Sequence, residues 1–185
     1  MNNVLINIVC FQISWFACVL GAAHGIPWLG PVVTLPVAAW HIYKAQAKRT
    51  EFILMLITVI LGSLFDQSIL AAGLIQYPAT NWPNYLLPLW MVALWLGFST
   101  ALNVSLRWMR QHMVIASLFG LIGGPLAYMS GQKLGAMQLV QFNTVMIVLG
   151  VGWALIVPAL LLLSSKLDGY AQNNNAKNNA GVKHV

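Results

Sequence analysis

Charged residues are scarce in this 185-residue sequence, at 6% of the total. Soluble domains carry about 25% charged residues, so this chain lacks the means to cover a water-exposed surface. Glu51, Asp66 and Asp168 are the three acids, against nine Lys and Arg residues, and the formal net charge is +6. The basic residues stand between apolar runs rather than together on one face, which indicates a membrane protein and argues against a nucleic-acid-binding protein.

Cysteine is nearly absent, and the two cysteines are not predicted to form a disulfide. Cys10 and Cys18 lie eight residues apart on one predicted helix, a separation of about 12 Å that exceeds the reach of a disulfide. The sequence also lacks HxxxH and CxxC spacings, clustered carboxylates, a GxSxG elbow and a P-loop. We therefore predict no metal, no cofactor and no catalytic motif, although a membrane enzyme can assemble its site from residues distant in sequence.

Long apolar runs, by contrast, fill most of the chain. We predict an all-α fold, a bundle of six transmembrane helices in residues 1–165, followed by a disordered cytoplasmic tail in residues 166–185. The predicted spans are residues 4–23, 27–43, 52–77, 86–106, 113–130 and 139–163.

The Lys and Arg residues predict the orientation of these spans. With the loop of residues 44–49 in the cytoplasm, Lys133 alone falls on the other side. The eight cytoplasmic residues are Lys44, Lys48, Arg49, Arg107, Arg110, Lys166, Lys177 and Lys183. This asymmetry predicts a multi-pass membrane protein with both termini in the cytoplasm. A re-entrant second run, with Pro31 and Pro36, is an alternative that leaves five spans and an external N-terminus.

Four strings resemble a known family: FQISWFACVLGA (residues 11–22), LWMVALWLGFSTALNVSLRW (89–108), GLIGGPLAYMSGQKLGA (120–136) and GWALIVP (152–158). The chain resembles a family of small bacterial inner-membrane proteins of unknown function. The resemblance implies six helices and no defined activity. Members are sometimes encoded near cyclopropane-fatty-acid synthases, which implies an association with envelope-lipid modification.

Glycine and proline predict where the helices pack closely or break. Gly120 and Gly124 have GxxxG spacing beside Pro125 in the fifth run, and Gly30 precedes Pro31 in the second. Close helix packing is the simpler interpretation of the glycines. Helix breaks that line a cavity are the alternative.

An i, i+4 stripe of polar residues marks the fourth run, at Ser99, Asn103 and Arg107. We expect Ser99 and Asn103 to bond a neighbouring helix, since polar side chains inside a membrane seek partners. Arg107 is expected to reach the lipid headgroups.

Asp66 is the one acid well inside a predicted span, and we identify it as the centre of a candidate functional cluster. An ionisable group there costs at least about 2.5–3.5 kcal/mol, so it should face the bundle interior and have partners. Counting about 21 Å along each run from its cytoplasmic end brings residues 28–31 and 125–128 level with Asp66. The predicted cluster is Asp66 with Gln67 and Tyr128 as hydrogen-bond partners and Trp28 and Trp95 as apolar walls. An acid that merely ties two helices together is an equally weighted alternative.

Three classes of function remain open. The scarcity of reactive groups and the resemblance favour an accessory or scaffold protein in envelope-lipid modification or stress response. The Gly-Pro pairs and Asp66 favour a small transporter or lipid-translocating protein. A membrane enzyme acting on lipid is the third class, with Asp66, Tyr128 and the histidines as its available groups. The expected partners are membrane lipid and a lipid-modifying enzyme, and neither the ligand nor the oligomeric state follows from the sequence.

Overall fold

The computed structural model describes residues 2–78 and 82–171. Within these residues the chain folds into six α-helices, which confirms the predicted all-α class. The helices are α1 (Asn2–Ala23), α2 (Leu29–Lys44), α3 (Lys48–Ala71), α4 (Leu89–Leu102), α5 (Met113–Lys133) and α6 (Phe142–Lys166). A 3-10 helix spans Arg107–Gln111, and two short strands are β1 (Ile75–Gln76) and β2 (Gln138–Leu139).

One end of the bundle, here called the ladder end, is defined by the pairing of β1 with β2. The two strands are antiparallel, with Ile75 opposite Leu139, and they join the α3–α4 connection to the α5–α6 connection. Ala23, the last residue of α1, lies beside Gly135 at this end. These strands were not predicted, because two residues are too few to show the alternating pattern of a strand.

At the opposite end, here called the polar end, the α2–α3 turn, the α4–α5 connection and the chain after α6 meet. The backbone N–H groups of Gln46 and Ala47 donate to the carbonyl of Gly169 at 2.8 and 3.0 Å. The side-chain amide of Asn103 donates to the carbonyl of Leu167 at 3.0 Å. Successive helices therefore run in opposite directions, and α1 begins at the end where α6 finishes.

Helix α4 lies at the centre of the bundle. Ten of its fourteen residues are buried, and it packs against α1, α2 and α3. The side chain of Asn7 on α1 donates to the carbonyl of Thr100 on α4 at 3.0 Å. Helix α5 packs mainly on α6, and the contacts of this pair with other elements are chiefly those with α3 and the 3-10 helix.

The described helices α1, α3, α5 and α6 are the four that are long and apolar enough to cross a membrane. Their outward faces carry large apolar side chains, of which Leu5, Leu64, Ile122 and Leu155 are each more than half exposed. Water would disfavour so much exposed apolar surface, whereas lipid tails accommodate it. These are the features of a multi-pass membrane protein.

Helix α4 is shorter than the predicted run of residues 86–106. It begins after Pro88, whose extended backbone (φ −62°, ψ 145°) is not helical, and it ends before Asn103, which turns towards other elements. Fourteen residues rise about 21 Å, less than the roughly 30 Å of a hydrocarbon core. Since other helices enclose α4, its ends do not have to reach the membrane surface.

The chain after α6 departs from the predicted disordered tail of residues 166–185. Lys166 still belongs to α6, and residues 167–171 pack against the polar end, where Gly169 accepts bonds from the α2–α3 turn. Residues 172–185, which hold the asparagine-rich part of that predicted tail, lie outside the described residues.

Candidate functional site

Asp66 lies on α3, buried to 1% exposure and five residues before the helix ends at Ala71. Five residues correspond to about 8 Å of rise, so the carboxylate sits in the half of the bundle nearer the ladder end. Its Oδ2 accepts a hydrogen bond from Trp95 Nε1 on α4 at 2.7 Å. Its Oδ1 accepts one from the hydroxyl of Tyr128 on α5. One carboxylate thus connects three helices, and both of its donors are neutral.

Two tryptophan rings stack beside this carboxylate, between two glycines. Trp95 and Trp153 on α6 are nearly parallel, at 11°, with ring centroids 4.7 Å apart. A side chain at Gly62 would overlap the Trp95 ring, and one at Gly124 would overlap Trp153. Gly62 precedes Asp66 by four residues, so both face the same side of α3. The absence of a side chain at Gly62 therefore lets Trp95 lie close enough to bond Asp66.

A cavity of about 340 Å³ opens next to Asp66, between α1, α4 and α5. Its rim includes Phe16 on α1 and Phe119 and Leu126 on α5, which are 44–53% exposed on the apolar surface. Helix α1 packs on α2 and α4 rather than on α5, which leaves the gap between α1 and α5 as the mouth. The cavity thus opens sideways, towards the surface that faces lipid.

The cavity wall is aromatic and holds a single acidic residue among the described residues. The aromatic lining residues are Phe11, Trp15, Phe16, Trp95, Phe98, Phe119, Tyr128 and Trp153. Asp66 is the acid of the lining, and within the described chain no Lys, Arg or His belongs to it. The arrangement can hold an apolar molecule against one buried carboxylate.

A second buried polar cluster, which was not predicted from the sequence, lies at the polar end. Glu51 is 0% exposed, and its Oε1 lies 2.7 Å from His41 Nε2. Its Oε2 accepts bonds from the side-chain amide of Asn103 at 2.5 Å and from the N–H of Gly169 at 3.1 Å. The hydroxyl of Tyr170 donates to the carbonyl of His41 at 2.6 Å.

Arg110 extends this cluster to the segment after α6. Its guanidinium donates to Ser164 at 3.0 Å, to Asp168 at 2.8 Å and to the side-chain carbonyl of Asn103. Arg107 also pairs with Asp168, at 2.7 Å. The two guanidinium groups pair with Asp168, and Glu51 is hydrogen-bonded by three groups. The cluster is therefore best described as a structural tie between α2, α3, the α4–α5 connection and residues 167–171.

The family model described as "Protein of unknown function (DUF2878)" matches residues 4–159. The chain belongs to this family. The match confirms the resemblance to an uncharacterised family, and the family description assigns no activity. No curated protein and no solved structure matches the chain. The function of this DUF2878 protein therefore has to be argued from its own site.

Of the residues predicted to surround Asp66, the structure brings Tyr128 and Trp95 to it but not Gln67 or Trp28. Gln67 instead donates to the carbonyl of Tyr85 at 2.9 Å and accepts from a backbone N–H at 2.8 Å. Its side chain points about 100° away from Asp66 around α3, as consecutive helical residues do. Trp28 is 62% exposed and precedes α2. Although it was predicted to lie at the same depth as Asp66, the two residues are not brought together. Trp95, expected as an apolar wall, is a hydrogen-bond donor.

The predicted helix breaks are wrong, whereas close packing at the glycines is observed. Helix α5 continues through Pro125, and Gly30 and Pro31 stand in the first turn of α2, where proline is tolerated. A side chain at Gly30 would meet Cys18 Sγ at 2.6 Å. One at Gly120 would overlap the backbone of Trp153, just as one at Gly124 would overlap its ring.

The polar stripe of the fourth run contains one member of the second cluster, Asn103. Asn103 bonds Glu51 of α3, as expected for a contact with a neighbouring helix. Ser99 does not, because its hydroxyl donates to the carbonyl of Leu96 in its own helix at 2.6 Å. Arg107, expected at the headgroups, pairs with Asp168 and remains 44% exposed. Across residues 2–78 and 82–171, no group of three His, Cys, Asp or Glu residues is placed to hold a metal ion.

Proposed function

We propose that this protein binds a lipid-like molecule in the cavity between α1 and α5. The sideways opening of that cavity carries the proposal. A molecule dissolved in the bilayer can enter through the gap between two apolar helices without crossing water. The volume of about 340 Å³ lies within the range of small-molecule sites, and the aromatic lining suits an apolar chain.

We further propose that all the helices cross a bacterial inner membrane, with the polar end in the cytoplasm. The distribution of basic residues supports this orientation, since Lys133 is the described basic residue at the ladder end. Helix α2 rises about 24 Å over its sixteen residues, which local thinning of the bilayer can accommodate. Both termini then lie in the cytoplasm.

The biological role that we propose is an accessory one, in which the protein holds a lipid-like molecule for a lipid-modifying enzyme of the envelope. The scarcity of reactive groups in the cavity supports this role. Among the described lining residues, Asp66 and Tyr128 are the groups that titrate, and they bond each other. A small transporter is the second candidate, which the buried carboxylate favours, because ionisable groups inside membranes often line substrate or proton paths. An enzyme acting on lipid is the third.

A cavity-filling substitution tests the binding proposal. A side chain at Gly123 would have open space, with its nearest neighbour, Phe119, at 4.0 Å. Gly123→Leu should therefore occupy the cavity without displacing a helix. Ala71→Leu, at an exposed position at the end of α3, adds similar bulk elsewhere. The measurement is native mass spectrometry of lipids that stay bound after purification, together with the unfolding temperature in detergent.

We expect Gly123→Leu to lose most of the bound lipid while keeping the unfolding temperature, and Ala71→Leu to resemble the wild type. Equal lipid retention in both variants would contradict binding at this cavity.

A further inference from the structure

We propose that the molecule held in this cavity carries a positively charged amine on an apolar body, and that Asp66 receives the amine. The inference rests on the proposed binding of a lipid-like molecule and adds the chemistry of its polar group. Hydrophobic primary amines and quaternary ammonium compounds belong to this class.

The hydrogen bonds of Asp66 are the first argument. Each carboxylate oxygen accepts one bond, from Trp95 or from Tyr128, and both donors are uncharged. A carboxylate oxygen can accept more than one bond, so each retains capacity for a further donor. Neutral donors orient the group but do not balance its charge. A ligand cation supplies that balance where water is excluded and charge attraction is strong.

The composition of the wall is the second argument. Aromatic rings attract cations as well as apolar groups, and the attraction is stronger where water is excluded. Trp15 on α1, Phe98 on α4 and Phe119 on α5 all belong to this wall. A carboxylate surrounded by aromatic side chains fits an ammonium group with alkyl substituents.

The same wall disfavours anions. Among the described lining residues there is no Lys, Arg or His to receive a phosphate or a carboxylate, and Asp66 would repel either. A fatty acid or an anionic phospholipid headgroup is thus a poor occupant. The depth of Asp66 and the exposed rim at Phe16 and Leu126 set the orientation: the amine lies inside and the apolar tail extends towards the bilayer.

Three probes with the same tail and different charges test this inference. Radiolabelled dodecylammonium, dodecanol and dodecanoate are titrated into the purified protein in phosphatidylcholine nanodiscs, with empty nanodiscs subtracted. A charge-assisted contact is worth about 1.5–3 kcal/mol, so dodecylammonium should bind at least about tenfold more tightly than dodecanol. Dodecanoate should bind most weakly.

Asp66→Asn should remove the preference for dodecylammonium while dodecanol binds as before. Asp168→Asn is the matched control, because it removes an acid at the polar end, far from the cavity, and should keep the preference. Tyr128→Phe removes a neutral donor from Asp66, so it should change the affinity for dodecylammonium while dodecanol binds as before. This variant provides the comparison if Asp66→Asn does not fold.

The outcomes separate this inference from the proposed function. Equal binding of dodecylammonium and dodecanol to the wild type would overturn the amine preference and leave lipid-like binding intact. An amine preference that persists in Asp66→Asn would overturn the role of Asp66. No binding of any probe above empty nanodiscs would overturn both proposals.

Discussion

Tyr170 shows how a single side chain fastens the segment after α6. Its hydroxyl donates to the carbonyl of His41 at 2.6 Å, and its ring lies over the His41 ring with centroids 4.8 Å apart. Burial, and secondarily the charge of Glu51, raises the pKa of Tyr170 above its usual value. The hydroxyl therefore stays protonated in the folded protein at a pH where a free tyrosine, with a pKa of about 10, ionises.

This raised pKa predicts a loss of stability at high pH. Below about pH 10 Tyr170 is protonated in both the folded and unfolded protein, and its contribution is complete. As the pH rises further, the unfolded chain releases the proton first, so the free energy of unfolding falls. Tyr170→Phe should lower the free energy of unfolding at neutral pH by about 1 kcal/mol, which lowers the unfolding temperature by about 2–4 °C. Above pH 10, the stability of this variant should fall less steeply than that of the wild type.

Unfolding temperatures in detergent between pH 8 and pH 11 measure both effects. Tyr85→Phe, at a residue 70% exposed, is the control and should match the wild type throughout. If the unfolding temperature falls equally steeply with pH for Tyr170→Phe and the wild type above pH 10, Tyr170 does not have the raised pKa.

At the scale of the helices, the contact between α5 and α6 depends on the absence of side chains. A Cβ at Gly120 would overlap the backbone carbonyl of Trp153, which cannot move without shifting α6. Gly123 lies one turn along the same helix and has open space around it. Substituting alanine at each position therefore distinguishes the effect of a disrupted helix contact from the effect of helix propensity.

We predict that Gly120→Ala destabilises the protein by about 1–3 kcal/mol, as overpacking does, despite the better helix propensity of alanine. Gly123→Ala should be neutral or slightly stabilising. Thermal unfolding in detergent compares them. A stable Gly120→Ala protein would mean that α5 and α6 do not approach as closely as described.

Some elements and contacts were predictable from the sequence for physical reasons, and others were not. Length and hydropathy identify α1, α3, α5 and α6, since each must supply enough apolar residues to reach across a bilayer. Counting depth from the cytoplasmic end of each run correctly placed Tyr128 level with Asp66. The same count failed for Gln67 and Trp28, because depth says nothing about direction around a helix. Lipid and protein interior are equally apolar, so the apolar pattern does not show which face is buried.

The polar cluster could not be predicted because its members are distant in sequence. His41 and Glu51 lie near helix ends, where polar residues are ordinary, and Asn103 and Gly169 belong to other parts of the chain. Each residue alone has a simple explanation at the membrane surface. Only the packing of α2, α3 and α4 around one another brings them together.

The topology of the whole molecule is testable with a reporter enzyme that is active only outside the cytoplasm. We predict no activity when it is fused at Asn3 or inserted at Gln46, and full activity at Asn84, which lies in the α3–α4 connection at the ladder end. Activity at Asn3 together with none at Gln46 would mean that α2 does not cross. Activity at Gln46 would invert the proposed orientation.

The α5–α6 pair is joined to the rest of the molecule at both of its extremities. At one, β2 pairs with β1, and at the other, Arg110 and Ser164 bond each other beside Asp168. Between these ends, the hydrogen bond from Tyr128 to Asp66 and the stack of Trp95 on Trp153 also hold the pair in place. Helix α1, by contrast, packs on α2 and α4 rather than on α5. The entrance between α1 and α5 therefore lies at the side of the pair with the least packing, and spin labels on those two helices would record its width directly.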